Sequence, residues 1–170
     1  GDTGAVLNIG RVYQTFLTTL DVGGDGTHEM LFRKSNGDLE LAAVERYYTY
    51  EARYARPTDT LLGVGDFDGD GDDDIALLQS NNNAIWIDTD DGRVIDFGRG
   101  VNPTVIGIGD TNGDGVDELI FQRGNGSKFA ADKDGIVTEF DLASWTLVGV
   151  GDLNGDGSDD LLLKKGTTYS

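Results

Sequence analysis

Cysteine is absent from this 170-residue chain, and proline, histidine and methionine are scarce. The absence of cysteine excludes disulfides and thiol chemistry. His28 is the only histidine, so the chain lacks the His/Cys set of a typical zinc site. No Ser or Cys motif lies near it, so a hydrolytic triad is not indicated. No apolar stretch is long enough to span a bilayer.

Positive charge is scarce as well. Lysine and arginine together number 13 against 31 aspartates and glutamates, which gives a formal net charge of −18. Such a surface repels nucleic acid and anionic membranes, so we expect no nucleic-acid partner and no membrane insertion. Hydrophobic residues make up 38% of the chain and occur in regular runs, which argues against disorder. The length is sufficient for one domain with a real core.

One acidic nine-residue loop occurs four times. In chain order the copies, named here the first to the fourth loop, read DVGGDGTHE (21–29), DFDGDGDDD (66–74), DTNGDGVDE (110–118) and DLNGDGSDD (152–160). Because the loops begin at Asp21, Asp66, Asp110 and Asp152, the spacings are 45, 44 and 42 residues. A period in the forties is typical of a propeller or another repeat array.

The segments around the loops favour short antiparallel strands. Apolar strands are predicted to enter the later loops at 60–65, 104–109 and 146–151, and to leave the loops at 29–34, 74–79, 118–123 and 160–165. A third strand at 84–89 and fourth strands at 93–98 and 136–141 follow Gly/Asn/Asp turns. The leaving strands are apolar at consecutive positions, which indicates cover on both faces. Alternate glycines such as Gly63 and Gly65 predict innermost strands crowded around a narrow axis, and Trp86 and Trp145 are expected to pack between blades.

The chain is therefore expected to be one all-β domain over residues 1–170, a four-bladed β-propeller of four-stranded antiparallel blades. The blades are predicted at about 15–54, 60–98, 104–141 and 145–170, with residues 5–10 completing the last. Aligning Asp21 with Asp152 places residues 5–10 on 136–141. An N-terminal strand in that place would close the ring and remove exposed sheet edges. A closed ring is expected to be a monomer; the alternatives are an open piece of a larger propeller and a ring of two chains.

Each loop offers oxygen ligands in a repeated pattern. Positions 1, 3 and 5 carry side-chain oxygens in the later three loops, and position 9 carries a carboxylate in all four. Glycines at positions 4 and 6 let the backbone turn tightly, so the carbonyl of position 7 can point inward. An oxygen-only, flexible set favours Ca²⁺ over Mg²⁺ and zinc. An EF-hand is excluded, because position 12 is Leu77, Phe121 or Leu163.

A single loop of this kind would be ordinary Asp/Gly turn chemistry. Three nearly identical copies, however, cluster carboxylates that repel one another unless a cation is present. The repetition therefore favours a metal site over a simple turn.

The loop resembles the DxDGDGxxD cation loop of FG-GAP repeats and the related VCBS-type repeats, known from integrin α-subunit propellers and many bacterial surface proteins. The preceding GVGD, GIGD and GVGD add to the resemblance, which spans the whole chain at blade level. It implies three calcium sites. The implied ligands are Asp66, Asp68, Asp70, Asp74 and the Asp72 carbonyl in the second loop; Asp110, Asn112, Asp114, Glu118 and the Val116 carbonyl in the third; and Asp152, Asn154, Asp156, Asp160 and the Ser158 carbonyl in the fourth.

The first loop departs from this pattern because position 3 is Gly23. The remaining candidates are Asp21, Asp25, Thr27 and Glu29, and we expect their site to be weak, completed by water or empty.

The resemblance implies a calcium-binding, non-catalytic binding or adhesion module, extracellular or on a cell surface, with a protein or glycan ligand. The alternatives are a lectin-like carbohydrate-binding domain and an accessory domain of a secreted enzyme. Residues 46–56 (RYYTYEARYAR) form the only basic, aromatic stretch and could contact a glycan or an acidic partner, although an outer strand with the usual aromatic preference explains them more simply.

No enzymatic activity is expected from this sequence. Aspartate pairs could mimic glycosidase carboxylates, but the loops already assign nearly all of them to metal. The chain starts at Gly1 without an initiator methionine or signal peptide, so we expect a mature product or an excised domain.

Overall fold

The computed structural model describes residues 14–42, 49–52, 57–97 and 104–166, and only the backbone of residues 49–52. These residues form antiparallel sheets, and no α-helix occurs among them. The prediction of an all-β chain is therefore confirmed. Within these ranges no helix has the length and apolar character needed to cross a membrane.

Short strands follow one another throughout the described residues. Their bounds are β1 Gln14–Leu20, β2 Glu29–Lys34, β3 Leu39–Ala42, β4 Thr49–Ala52, β5 Thr60–Gly65, β6 Asp74–Leu78, β7 Ala84–Ile87, β8 Val94–Asp96, β9 Thr104–Gly109, β10 Glu118–Gln122, β11 Lys128–Asp132, β12 Gly135–Phe140, β13 Thr146–Gly151 and β14 Asp160–Lys164. The predicted entering strands correspond to β5, β9 and β13, and the leaving strands to β2, β6, β10 and β14.

The strands make four separate antiparallel sheets in sequence order. The first sheet contains β1–β4, the second β5–β8, the third β9–β12, and the fourth β13 and β14. Each acidic loop joins the first two strands of its sheet, so all four loops occupy the same corner of the repeat. Because β9 lies beside both β5 and β13, the second, third and fourth sheets line up through their entering strands.

Each entering strand carries one irregularity at the same repeat position. The antiparallel register skips a residue between Phe16 and Thr18, between Leu61 and Gly63, and between Leu147 and Gly149. In the third sheet the skip passes over Ile106, since Gly107 pairs with Ile120 and Val105 with Phe121. The skipped residue thus lies four positions before the first aspartate of the loop. A bulge bends and twists its strand, so each strand approaches its loop with the same local geometry.

Apolar residues from neighbouring sheets form two buried clusters. The cluster between the first and second sheets contains Leu20, Leu31, Leu39, Leu41, Ile75, Leu77, Ile85 and Ile87. The cluster between the second and third sheets contains Phe67, Ala76, Ala84, Trp86, Leu119, Phe121, Phe129 and Ala131. The second sheet is therefore covered on both faces, as the unbroken apolar run of β6 predicts.

The two tryptophans lie in different environments. Trp86 is buried between the second and third sheets, as expected. Trp145 is only partly buried, and its ring lies 5.4 Å from the Lys165 ammonium. The prediction of packing between sheets is confirmed for Trp86 only.

The outer faces of the first and fourth sheets leave apolar side chains in solvent. Leu162 is 48% exposed, whereas Ala76 and Ile120 at the same repeat position are fully buried. Phe16 on the first sheet and Val148 on the fourth are also more than half exposed. Apolar side chains are therefore exposed at each end of the row of described sheets, although Phe32 beside Phe16 is buried.

The predicted closing strand at residues 5–10 lies outside the described residues, as do residues 46–48 and 53–56 of the basic aromatic stretch and residues 167–170 at the end of the last predicted blade.

Candidate metal centre

The four acidic loops adopt one common turn. In each loop the carboxylate of the first aspartate accepts hydrogen bonds from backbone N–H groups of the same loop. Asp66 accepts from Gly69 at 2.6 Å, Asp70 at 3.2 Å and Gly71 at 2.9 Å. The third and fourth loops repeat all three bonds within 0.1 Å. In the first loop Asp21 accepts from Asp25 and Gly26.

The glycines at positions 4 and 6 make this turn possible. They adopt positive φ in every loop, as at Gly69 (84°) and Gly71 (96°). L-residues with a Cβ rarely adopt such angles, whereas glycine does so without steric cost. The predicted wrapping of the backbone around the first aspartate is therefore confirmed.

The carboxylate at position 9 closes the loop from the leaving strand. It accepts the N–H of position 2 in each copy: Glu29 from Val22 at 3.1 Å, Asp74 from Phe67 at 3.2 Å, Glu118 from Thr111 at 2.8 Å and Asp160 from Leu153 at 3.2 Å. Asp74 and Glu118 are also buried. Hydrogen bonds from backbone N–H groups to the two carboxylates thus hold positions 1 and 9 near each other, independently of any ion.

Three acidic groups lie close enough to hold a metal ion. They are Asp66, Asp68 and Asp74; Asp110, Asp114 and Glu118; and Asp70, Asp72 and Asp90, and in each group the ligand oxygens lie within 4.8 Å of one another. The first two groups contain only residues predicted as ligands. The third draws in Asp90 from the turn after β7, which the sequence did not single out, and it uses the Asp72 side chain rather than its carbonyl.

Burial destabilises the ionised form of several carboxyl groups in the second loop. Burial raises the pKa of Asp74 to about 8, in spite of the N–H groups of Thr89 and Phe67 that it accepts. Burial and the neighbouring Asp70 carboxylate raise the pKa of Asp68 and raise that of Asp72 to about 6. A cation among these groups would reverse the penalty, because an opposite charge nearby favours the ionised form.

One buried oxygen of the second loop lacks a hydrogen-bond partner. Asp68 Oδ1 is inaccessible to solvent, and no described residue donates a hydrogen bond to it. An unsatisfied buried oxygen is costly, so its presence in a native structure calls for a missing partner such as an ion. The same carboxylate belongs to the group formed by Asp66, Asp68 and Asp74, so the unsatisfied oxygen lies on a side chain of the candidate site.

In the third and fourth loops an asparagine amide occupies the corresponding place. Asn112 Nδ2 donates to Asp114 at 2.9 Å and to Glu118 at 3.0 Å. Asn154 Nδ2 likewise donates to Asp156 at 3.0 Å. The two asparagines therefore direct a donor, not the predicted oxygen ligand, toward the carboxylates. To ligate a cation, each side-chain amide must turn its oxygen inward.

Among the described residues, Arg93 is the only one whose cationic side chain forms an ion pair with a loop carboxylate. Its guanidinium lies 2.7 Å from Asp88 Oδ2 and 3.8 Å from Asp68 Oδ2. The second loop also differs from the next two in carrying Asp68 where they carry asparagine. Arg93 thus offsets part of the additional negative charge of this loop.

The aspartate at position 8 joins each loop to the preceding one. Asp117 donates its N–H to the Asp66 carbonyl at 2.6 Å, and Asp117 Oδ2 accepts the Asp66 N–H at 3.1 Å. Asp73 makes the same two bonds to Asp21, both at 2.8 Å. Asp159 donates its N–H to the Asp110 carbonyl at 2.6 Å. Sequence reasoning missed these residues, although a second acidic residue before position 9 in three loops was a visible signal.

The glycines of the entering strands leave room for this contact. A Cβ added at Gly65 would overlap the Asp117 carboxylate, and one at Gly109 would overlap the Asp159 carboxylate. A Cβ at Gly63 would lie 2.6 Å from Ile108 Cδ1 of the next sheet. Among the described residues these three glycines are therefore crowded by the neighbouring sheet and its loop.

Comparison of the chain with protein-family models, with curated proteins and with solved structures finds no match. The acidic loops are therefore the features of this chain that point to a function.

Proposed function

We propose that this chain binds calcium through its second, third and fourth loops, and that the ions stabilise a β-propeller that serves as a non-catalytic binding or adhesion module. The observation that carries the proposal is the group formed by Asp66, Asp68 and Asp74, in which Asp68 Oδ1 is buried without a hydrogen-bond donor. A cation at this point would satisfy the oxygen and neutralise the buried charge.

The chemistry of the loops favours calcium among biological cations. All side-chain donors are carboxylate or amide oxygens, and the chain offers no cysteine and a single histidine. Ca²⁺ accepts six to eight oxygens in flexible geometry, whereas Mg²⁺ requires a smaller, near-octahedral set. The second loop would use Asp66, Asp68, Asp70, Asp74 and the Asp72 carbonyl, and the third and fourth loops would use their equivalents. Reorientation of Asn112 would bring its oxygen into the third site. The fourth site would require Asn154 to turn likewise and the carboxylates of Asp152, Asp156 and Asp160 to converge, since these three form no such group among the described residues.

The propeller is the part of this proposal that goes beyond the four described sheets. It is supported by the alignment of the second to fourth sheets through their entering strands and by the common position of the loops. The exposed side chains of Phe16 and Leu162 at the two ends of the row support closure into a four-bladed ring, because contact between the end sheets would remove these apolar groups from water. In this proposal residues 5–10 supply the outer strand of the last blade, and the ring is a monomer.

A binding role outside the cell is consistent with such sites. Calcium sites of extracellular modules often bind in the range of about 10⁻⁴–10⁻³ M, so loops that rely on a few carboxylates suffice there. A protein or a glycan would be the ligand, bound at loops whose sequence is free to vary.

The calcium proposal is tested by counting bound ions. Protein freed of metal by chelation is dialysed against calcium, and the bound metal is measured by elemental analysis and by calorimetric titration. We expect about three equivalents of calcium, weaker binding of magnesium and a higher melting temperature with calcium. Asp70→Ala should lose about one equivalent, whereas Asp141→Ala, an exposed aspartate outside the loops, should lose none. A protein that retains no calcium and melts at the same temperature after chelation would refute the proposal.

A further inference from the structure

The carboxylates at position 8 make a reciprocal contact between loops. Asp117 and Asp66 exchange two hydrogen bonds: one joins the Asp117 N–H to the Asp66 carbonyl, and the other joins the Asp66 N–H to Asp117 Oδ2. This pair of bonds is named here the clasp. Asp73 makes the same clasp with Asp21, so the arrangement recurs at two junctions. At the third junction Asp159 makes the main-chain bond alone, from its N–H to the Asp110 carbonyl. The Asp159 carboxylate lies against Gly109.

The clasp holds a residue that the proposed function makes a calcium ligand. Both peptide groups flanking Asp66 are engaged by Asp117, while the Asp66 carboxylate is held by the N–H groups of Gly69, Asp70 and Gly71. Main chain and side chain of the first ligand are therefore fixed by different parts of the molecule. The side chain is positioned by its own loop and the main chain by the next loop.

The clasp residue also adjoins a ligand of its own loop. Asp117 is followed directly by Glu118, whose carboxylate belongs to the acidic group of the third loop. One peptide bond therefore separates the residue that positions Asp66 from the residue that would bind the next ion. An ordered third loop fixes Glu118 and thereby Asp117, which in turn fixes Asp66 of the second loop.

We propose that Asp117 is a positioning residue, whose side chain sets the calcium affinity of the second loop rather than of its own. The inference rests on the proposed calcium function. It assigns the effect of the Asp117 side chain to the second loop and not to the third, in which Asp117 itself lies. Residues that orient a metal ligand without touching the metal commonly change affinity by about 10–100-fold when removed.

The main competing explanation is simple charge. Asp117 could strengthen calcium binding only by adding a negative charge near both loops. The two explanations differ for Asp117→Asn, which removes the charge but retains an oxygen that can accept the Asp66 N–H. The clasp predicts that Asn functions and Ala does not, whereas the charge explanation predicts that both variants lose affinity.

The experiment is a calcium titration of the full chain followed by amide NMR. The Gly71 N–H reports on the second loop and the Gly115 N–H on the third, since each donates to the first aspartate of its loop. For Asp117→Ala we expect calcium to bind the second loop about 10-fold more weakly, with the third loop changed less than about threefold. Asp117→Asn should remain within about threefold of the wild type at both loops.

Asp159→Ala provides a matched control at the next junction, because Asp159 bonds to Asp110 through its main-chain N–H, which alanine keeps. It should leave the third loop, read at Gly115, and the fourth loop, read at Gly157, within about threefold of the wild type. An unchanged second loop in Asp117→Ala, equal weakening of its second and third loops, equal losses in Asp117→Asn and Asp117→Ala, or a loss in Asp159→Ala as large as that in Asp117→Ala would each overturn the inference.

Amide exchange in metal-free protein separates this inference from the calcium proposal. The clasp exists without an ion, so the Asp66 N–H should exchange faster in metal-free Asp117→Ala than in the wild type. If the wild type binds no calcium, the proposed function fails whatever the exchange rates show. If the wild type binds calcium and Asp117→Ala neither speeds this exchange nor weakens the second loop, only the clasp inference fails.

Discussion

Replacement of Glu118 by glutamine should have opposite consequences in the presence and absence of calcium. Glu118 is fully buried, and burial raises the pKa of its carboxyl group. A raised carboxyl pKa means that folding disfavours the ionised form of this group relative to the unfolded chain. Glutamine removes the charge and still offers an oxygen to the Thr111 N–H, which lies 2.8 Å from the carboxylate. Asn112 Nδ2 donates to the other carboxylate oxygen at 3.0 Å, so the Asn112 amide must turn its oxygen toward the new glutamine NH₂ group. Metal-free Glu118→Gln should therefore melt at the same temperature as the wild type or above it.

Calcium-loaded Glu118→Gln should melt at a lower temperature than the calcium-loaded wild type. One site contributes about 2.7 kcal/mol to the free energy of unfolding when free calcium is one hundred times the dissociation constant. For a domain of this size, 1 kcal/mol shifts the melting temperature by about 2–4 °C. Loss of the third-loop site should consequently reduce the calcium-induced rise by about 5–11 °C.

The assay is calorimetric melting at pH 7.5 with chelator and with saturating calcium. Glu139→Gln is the matched control, because Glu139 is exposed and forms a surface ion pair with Arg123 at 2.9 Å. Surface pairs of this kind contribute less than about 1 kcal/mol, so both melting temperatures of the control should change little. If Glu118→Gln lowers the melting temperature equally with and without calcium, Glu118 is a structural residue and the reasoning about its ligand role is wrong.

Three further outcomes follow from the loops and the end faces. Asp114→Ala and Asp156→Ala should each lose about one calcium equivalent by elemental analysis. Asp25→Ala should lose little, because the first loop carries Gly23 where the other loops carry a ligand. Loss of a tightly held ion in Asp25→Ala would contradict this ranking. The pKa of Asp74 rises from its ordinary value of 3.8 to about 8, so the folded metal-free protein binds a proton that the unfolded chain releases. Its stability should fall as pH rises from about 4 to about 8, while calcium affinity rises over the same interval, and pH-dependent melting with and without calcium measures both trends. Deletion of residues 1–10 should speed amide exchange in β14 and promote self-association if those residues complete the last blade; unchanged exchange at 160–164 would remove the argument for closure.

The strands and the turn of the loops could be predicted because their causes are local. The apolar runs at Thr60–Gly65 and Asp74–Leu78 form strands where expected, and the glycines at positions 4 and 6 adopt positive φ. Hydrophobic pattern and glycine chemistry act within a few residues, and a single sequence displays them directly. Repetition strengthened these predictions, because the same pattern appears in several copies.

Features that join separate parts of the chain were harder to predict. Asp90 approaches Asp70 and Asp72 only because a turn returns to the loop, and Arg93 meets Asp68 from the same turn. The role of Asp117 depends on the distance between two sheets, which no local pattern specifies. Asn112 shows a related limit, since residue type identifies a possible ligand while the hydrogen bonds of the folded chain decide which end of the amide faces inward.

The clasp has a consequence for how an array of this kind can grow. The second and third repeats carry both sides of the joint: the main chain of the first aspartate receives the next repeat, and the position-8 aspartate reaches the previous one. Duplication of a whole repeat therefore reproduces a matched joint on both sides of the new copy, without compensating substitutions elsewhere. The first repeat is different, because His28 occupies position 8 and Leu20 occupies the place of Gly65. These two residues mark the boundary of the interchangeable units, so gain or loss of a repeat is best accommodated after the first loop.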